Sequence, residues 1–155
     1  MEDGSKYMGN FRFGKKYGYG EYEWADGSTY KGHWIDNNIE GKGEYFWPDG
    51  RHYVGNWKDN MFNGKGKYTW PDGRVYEGNY KNDKKHGHGI YTWPDGRSYN
   101  GYWANSKNHG EGVYTNQKGI ARRGIWENGK RMKWLDDGNS SPSEVKDLTS
   151  TDHKS

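Results

Sequence analysis

Tyr7, Tyr30, Tyr53, Tyr76 and Tyr99 are each separated by 23 residues, and Arg122 takes the next place in that series. Two residues after each stands a glycine: Gly9, Gly32, Gly55, Gly78, Gly101 and Gly124. Two further on come Phe11, Trp34, Trp57, Tyr80, Trp103 and Trp126. A Gly-x-Gly pair follows in five copies, from Gly18/Gly20 to Gly110/Gly112, and leads to Tyr22, Tyr45, Tyr68, Tyr91 and Tyr114. Trp24, Trp47, Trp70 and Trp93 come next, and Asp-Gly closes four of the units. A period kept this strictly, without an insertion, marks an array of one repeated structural part.

The part itself can be read from its alternation. In Tyr53-Val-Gly55-Asn-Trp57 and in Gly64-Lys-Gly66-Lys-Tyr68-Thr-Trp70, aromatic and glycine positions recur every second residue, which is the period of a strand. Each unit therefore reads as a β-hairpin, with a Tyr-x-Gly-x-Trp strand followed by a Gly-x-Gly-x-Tyr-x-Trp strand. Glycine weakens a strand but leaves room for a neighbouring ring to lie on the backbone. Pro-Asp-Gly is a tight turn that hands the chain to the next hairpin. A lone hairpin cannot bury its aromatic face, so stability must come from stacking on neighbours. The expectation is an all-β chain: an elongated, single-layer antiparallel sheet of stacked hairpins, a solenoid-like ribbon. About eleven strands at ~4.8 Å spacing would extend on the order of 50 Å. The repeat domain spans 7–134, in units 7–29, 30–52, 53–75, 76–98 and 99–121 with a partial 122–134. It is preceded by a lead-in at 1–6 and followed by a tail at 135–155.

Composition narrows the class. Only 29% of the 155 residues are hydrophobic and mean hydropathy is -1.46, values that alone suggest disorder. Against that stand 17% aromatic residues, including 9 Trp and 14 Tyr, and 25 Gly. Large rings over glycine can build a thin core. The absence of cysteine excludes disulfides, thiolate metal sites and a thiol nucleophile. The first residues are acidic and polar, unlike a signal peptide, and no apolar run approaches the ~20 residues of a membrane span. A soluble, intracellular protein of the cytoplasm or cytoskeleton is expected, and no cofactor is.

Tyr-x-Gly-x-Trp, Gly-x-Gly and Asp-Gly at this spacing resemble the MORN (membrane occupation and recognition nexus) repeat family, from Tyr7 to about Trp126. The resemblance implies a curved single sheet of hairpins. It also implies non-catalytic work as a scaffold or adaptor in cytoskeletal, ciliary or axonemal, or membrane-cortex assemblies. The ends depart from the pattern. Phe11 replaces Trp in the first unit, Asn116 and Lys118-Gly119 replace Trp and Asp-Gly in the fifth, and the sixth stops after its first strand. Terminal repeats are expected to be atypical because they cap the stack.

No catalytic constellation emerges from the residues. His86 and His88 straddle Gly87, so they face away from the aromatic side, and no third metal ligand accompanies them. The recurring turn aspartates are structural parts. None of the Gly-x-Gly pairs continues as a dinucleotide fingerprint, and no phosphate loop, nucleophile elbow or kinase catalytic loop is present. Some plant phosphatidylinositol-phosphate kinases carry MORN repeats. The resemblance here covers the repeats only, so kinase activity is not expected.

Two surfaces are candidates for recognition. The first is an aromatic trough in which Trp34, Trp57, Tyr80 and Trp103 could contact an extended peptide or a helix. The second is basic: Arg122, Arg123, Lys130, Arg131 and Lys133 against Glu127 give the last partial unit a charge of +4. That end suits an anionic lipid or an acidic protein tail, or it is simply a charge-guarded edge strand. Nucleic acid is not expected, because the charge is local and carries no recognised motif. A terminal strand could pair with a second copy of the chain. The tail has no Phe, Tyr or Trp and reads as mostly disordered, with a capped short helix over 142–149. Asn139-Ser-Ser matches a glycosylation acceptor that an intracellular protein would not use.

Overall fold

Two-residue turns organise the described part of the chain, residues 4–135 of a computed structural model. Each consists of two residues at positive φ, as in Asp36-Asn37 (48° and 69°) and Asp59-Asn60 (50° and 66°). Such turns match the right-handed twist of the strands they join, and Asn and Asp tolerate the left-handed region. They connect β1 (Lys6–Arg12) to β2 (Lys15–Glu23), β3 (Thr29–Ile35) to β4 (Asn38–Phe46), and β5 (His52–Lys58) to β6 (Met61–Thr69). The same pattern joins β7 (Val75–Lys81) to β8 (Lys84–Thr92), β9 (Ser98–Ala104) to β10 (Lys107–Thr115), and β11 (Ala121–Glu127) to β12 (Lys130–Trp134). The twelve strands form one antiparallel sheet in chain order, as the hairpin reading requires. They group into two compact units, one running to Pro71 with Tyr80–Asp83, the other comprising Asp72–Asn79 and the chain from Lys84 onward.

Register is set by glycine. Within a hairpin Gly32 opposes Gly43 and Trp34 opposes Ile39, so the second strand advances four residues while the first advances two. The surplus bulges at Gly41, whose φ of 79° a side chain would resist. Gly55/Gly66 and Trp57/Phe62 repeat the arrangement around Gly64. Between hairpins the pairing runs without a shift: Gly41 faces Trp57, Gly43 faces Gly55 and Tyr45 faces Tyr53.

The core lies on one face of the sheet. Tyr30, Tyr53, Tyr76 and Tyr99 are completely buried or nearly so, and each lies over a glycine of its own hairpin. A Cβ on Gly43 would fall inside the Tyr30 ring, and one on Gly66 inside the Tyr53 ring. The phenol oxygens donate to backbone carbonyls, Tyr53 to Asn56 at 2.8 Å and Tyr76 to Asn79 at 2.8 Å. Burial holds the hydroxyls of Tyr30, Tyr53 and Tyr99 well above their ordinary pKa.

Three details differ from the sequence reading. The described residues hold twelve strands, because Lys130–Trp134 folds back on β11 and completes a sixth hairpin. The second strands begin three residues earlier than Gly-x-Gly, so the residue before each pair, His86 in β8 for one, already lies within the strand. Trp24, Trp47, Trp70 and Trp93 stand just past the strand ends, in the turns. The expected tail helix at 142–149 lies outside the described residues.

Candidate functional site

In the first unit the aromatic face divides into two rows. Trp34, Trp57 and Tyr80 belong to the inner row and are 4%, 7% and 7% exposed. Trp34 Nε1 donates to the Gly20 carbonyl and Trp57 Nε1 to the Gly43 carbonyl, each at 3.1 Å, so these indoles bind each hairpin to the one before. Their edges meet the buried tyrosines, with Tyr30 5.3 Å from Trp34 and 5.5 Å from Trp57. These side chains form the floor of the trough.

The outer row is a ladder of alternating Tyr and Trp. Tyr22–Trp24, Trp24–Tyr45, Tyr45–Trp47, Trp47–Tyr68 and Tyr68–Trp70 follow at centroid separations of 4.5, 5.3, 4.4, 5.3 and 4.4 Å. All but Tyr68 are only half-buried. The turn clamps the ladder. Trp47 N–H donates to the Arg51 carbonyl at 3.0 Å, and the Arg51 guanidinium lies 4.9 Å over the Trp47 ring. Arg51 also bonds Asp49 at 2.8 Å and the Tyr68 hydroxyl at 3.0 Å. The Arg51 backbone N–H and side chain hold the Asp49 carboxyl below the usual carboxylate range. The Pro-Asp-Gly-Arg turn is thus also a support for the outer rings.

A third set of residues fills the face at the bulges. Ile39 is buried opposite Trp34. Phe62 stacks on Tyr53 at 4.1 Å and meets Trp57 at 4.9 Å. Lys16 takes the same place in the first hairpin, its ammonium 5.4, 5.2 and 5.6 Å from the rings of Tyr7, Tyr22 and Trp34.

In the second unit Trp103 is 7% exposed and donates from Nε1 to the Gly89 carbonyl at 3.1 Å. Lys85 lies 5.5, 5.8 and 5.6 Å from Tyr76, Tyr91 and Trp103. Burial there lowers its amine from the ordinary lysine range. His88 Nε2 is 2.7 Å from the Asn100 side-chain oxygen, and its ring meets Tyr102. Among the described residues, no three His, Asp or Glu side chains gather as metal ligands.

The five basic residues near the end of the second unit do not form one patch. Arg122 and Arg123 are neighbours on β11 and therefore project to opposite faces. Arg122 and Arg131 both lie over Trp134, at 4.0 and 4.5 Å. Arg123 instead pairs with Glu111 at 2.8 Å. Lys133 opposes Ile125, and Lys130 opposes Glu127 beside the turn. Lys130, Arg131 and Lys133 are exposed.

The outer ladder and the bulge-filling residues escaped the sequence reading. Two signals pointed to them. Trp24 and Trp47 immediately precede turn residues, at the margin of the face, and Lys16, Ile39, Phe62 and Lys85 share one phase of the period.

The MORN repeat family model matches residues 7–29, 30–50, 53–73, 76–96 and 99–120. No curated protein sequence matches the chain. Among solved structures, the chain is similar to the wild-type TCP10 domain of Danio rerio CPAP, solved in complex with a peptide of Danio rerio STIL. Identity there is 16%, coverage 87% of this chain and 75% of that one, and the TM-score 0.32. The E1021V mutant of the same domain is similar at 14% identity, 86% and 73% coverage and a TM-score of 0.33. With five matched repeats and the hairpin sheet they prescribe, the chain belongs to the MORN-repeat family.

Proposed function

We propose that the chain is a non-catalytic scaffold that binds other proteins in a cytoskeletal, ciliary or axonemal, or membrane-cortex assembly. It would lie in the cytoplasm or cytoskeleton, in a cilium, or at the inner face of a membrane. The observation that carries this reading is the half-open ladder from Tyr22 to Trp70. Its rings are already held by neighbours and by Arg51, so little side-chain freedom is lost when a partner settles on them. Tyr and Trp in that state are the usual anchors of protein interfaces. Trp34, Trp57 and Tyr80 underlie that contact surface, and Trp103 is the corresponding buried ring of the second unit. An extended segment or a helix with apolar side chains fits such a row.

The experiment is affinity capture with proximity labelling in cells of the native source, using the full chain and a Trp24→Ser/Trp47→Ser variant. A stable cytoskeletal partner retained by the first and lost by the second is expected. The reading fails if the same proteins are recovered with both, or if no stable partner is recovered. A second reading, an anionic-membrane module, is favoured by Arg122 and Arg131, which flank Trp134 on one side of the terminal hairpin.

A further inference from the structure

The outer edge of β1 has no described strand against it, because the sheet order begins there. Between the exposed cations Lys6 and Arg12 at its ends, β1 presents two large apolar side chains, Met8 at 77% and Phe11 at 60% exposed. Natural sheets usually guard an edge with charge; β12, at the opposite end of the strand order, carries Lys130, Arg131 and Lys133 along its length, whereas β1 has cations only at its two ends.

The edge is also self-complementary. Gly9 and Gly20 meet in the close kind of antiparallel pair, in which neither residue bonds the other. The N–H and C=O of Gly9 therefore point away from β2, and those of Tyr7 and Phe11 follow by alternation. Every described strand boundary from β1 to β6 sets glycine opposite glycine: Gly9/Gly20, Gly20/Gly32, Gly32/Gly43, Gly43/Gly55 and Gly55/Gly66. A second β1 laid antiparallel on the first obeys that rule in one register, with Gly9 opposite the second copy's Gly9. Tyr7 then faces Phe11 of the other copy, and the two aromatic faces become continuous.

We propose that two copies of the chain associate through β1 in this register, about a two-fold axis through Gly9, forming a single sheet across both copies. The interface is isologous, so each contact is made twice and the edge is closed on both molecules. Met8 pairs with the second copy's Asn10 on the opposite face. Lys6 faces the second copy's Arg12, a like-charge pair moderated by Glu23 opposite Lys6 and by Tyr17 beneath the Arg12 guanidinium at 3.9 Å. Salt screens that repulsion and therefore tightens the dimer.

The test uses the full chain, with sedimentation velocity from ~1 to ~100 µM at low and high salt, because the dimer population follows protomer concentration. A dimer that strengthens with salt is expected. Phe11→Lys should weaken it at least about tenfold by removing an apolar contact from each copy. The chain has no cysteine, which allows a second measurement independent of that variant's stability. Mixed Met8→Cys and Asn10→Cys proteins should form a disulfide-linked heterodimer on mild oxidation, in preference to either homodimer, since close antiparallel pairs suit a disulfide. A chain that stays monomeric throughout, or a dimer indifferent to Phe11→Lys and lacking the 8–10 crosslink, overturns the proposal.

Discussion

Trp57 donates its indole N–H to the carbonyl oxygen of Gly43, 3.1 Å away across the boundary between two hairpins. The same ring meets Tyr30, Tyr53 and Phe62 at 5.5, 5.2 and 4.9 Å. One side chain thus joins the buried tyrosines of adjacent repeats, which is where a repeat protein keeps its stability. Trp57→Ala should lower the unfolding free energy by about 3–5 kcal/mol. Trp57→Phe keeps a ring but drops the hydrogen bond, and should cost about 1 kcal/mol for the bond in addition to the lost volume. Urea titration followed by far-UV circular dichroism measures both, and a Trp57→Phe loss as large as that of Trp57→Ala would contradict the packing role given to the ring, because both variants lack the N–H.

Gly43 lies beneath Tyr30, whose ring occupies the space a Cβ would need. Gly43→Ala must push that ring off the strand or part the Gly32–Gly43 pair, and overpacking of this kind costs about 1–3 kcal/mol. Lys42→Ala, one residue away on the exposed face, should change stability by less than about 0.5 kcal/mol. Thermal melts of the two variants side by side distinguish a steric requirement for glycine from a general intolerance of the strand.

The buried phenols make the fold sensitive to alkali. Tyr30, Tyr53 and Tyr99 have folded pKa values raised above the ordinary 10.0 by burial. Once pH passes that ordinary value the unfolded chain loses these protons while the folded chain keeps them, so the unfolded state binds fewer protons and stability falls as pH rises. Their contribution is complete below about pH 10 and declines steadily above it. Urea midpoints should therefore be level with respect to these groups up to about pH 9 and drop beyond it. Tyr30→Phe, having one fewer phenol to ionise, should show a shallower drop. An unchanged slope in that variant would remove Tyr30 from the account.

Much of the fold could be read from the 23-residue period, because alternation of Tyr, Gly and Trp specifies both strand and face. The bulges were less legible. Gly18, Gly41 and Gly64 occupy the aromatic phase like any other glycine of the repeat, and only the pairing reveals that they carry surplus residues at positive φ. The sixth hairpin was missed because Lys130–Trp134 has none of the Gly-x-Gly marks of a second strand, while Asn128-Gly129, a strong hairpin turn, lay just before it. For the site, sequence phase located the aromatic face but could not rank its rings. Trp57 and Trp47 are both aromatic-face tryptophans. One is sunk between two hairpins and the other is half-open at the margin, a difference made by strand length and not by residue type. Charge counting likewise gathered five cations that a strand's alternation distributes over two faces.

That distribution makes the membrane reading separable residue by residue. A polybasic surface gains about 1 kcal/mol per Lys or Arg held near anionic lipid. Arg122 and Arg131 lie with Trp134 on one side of the terminal hairpin, whereas Arg123 is paired with Glu111 and projects to the other. With phosphoinositide-containing vesicles at physiological salt, replacing Arg122, Arg123, Lys130, Arg131 and Lys133 together by Gln should abolish cosedimentation. Arg122→Gln and Arg131→Gln should each weaken it several-fold, about the factor that 1 kcal/mol represents. Arg123→Gln should leave it nearly unchanged, since its charge is already compensated. Binding that falls equally for all three single variants would mean that net charge alone is read, without regard to the face that bears Trp134. Absence of binding by the unaltered chain would discard the membrane reading and leave the aromatic ladder as the surface to pursue.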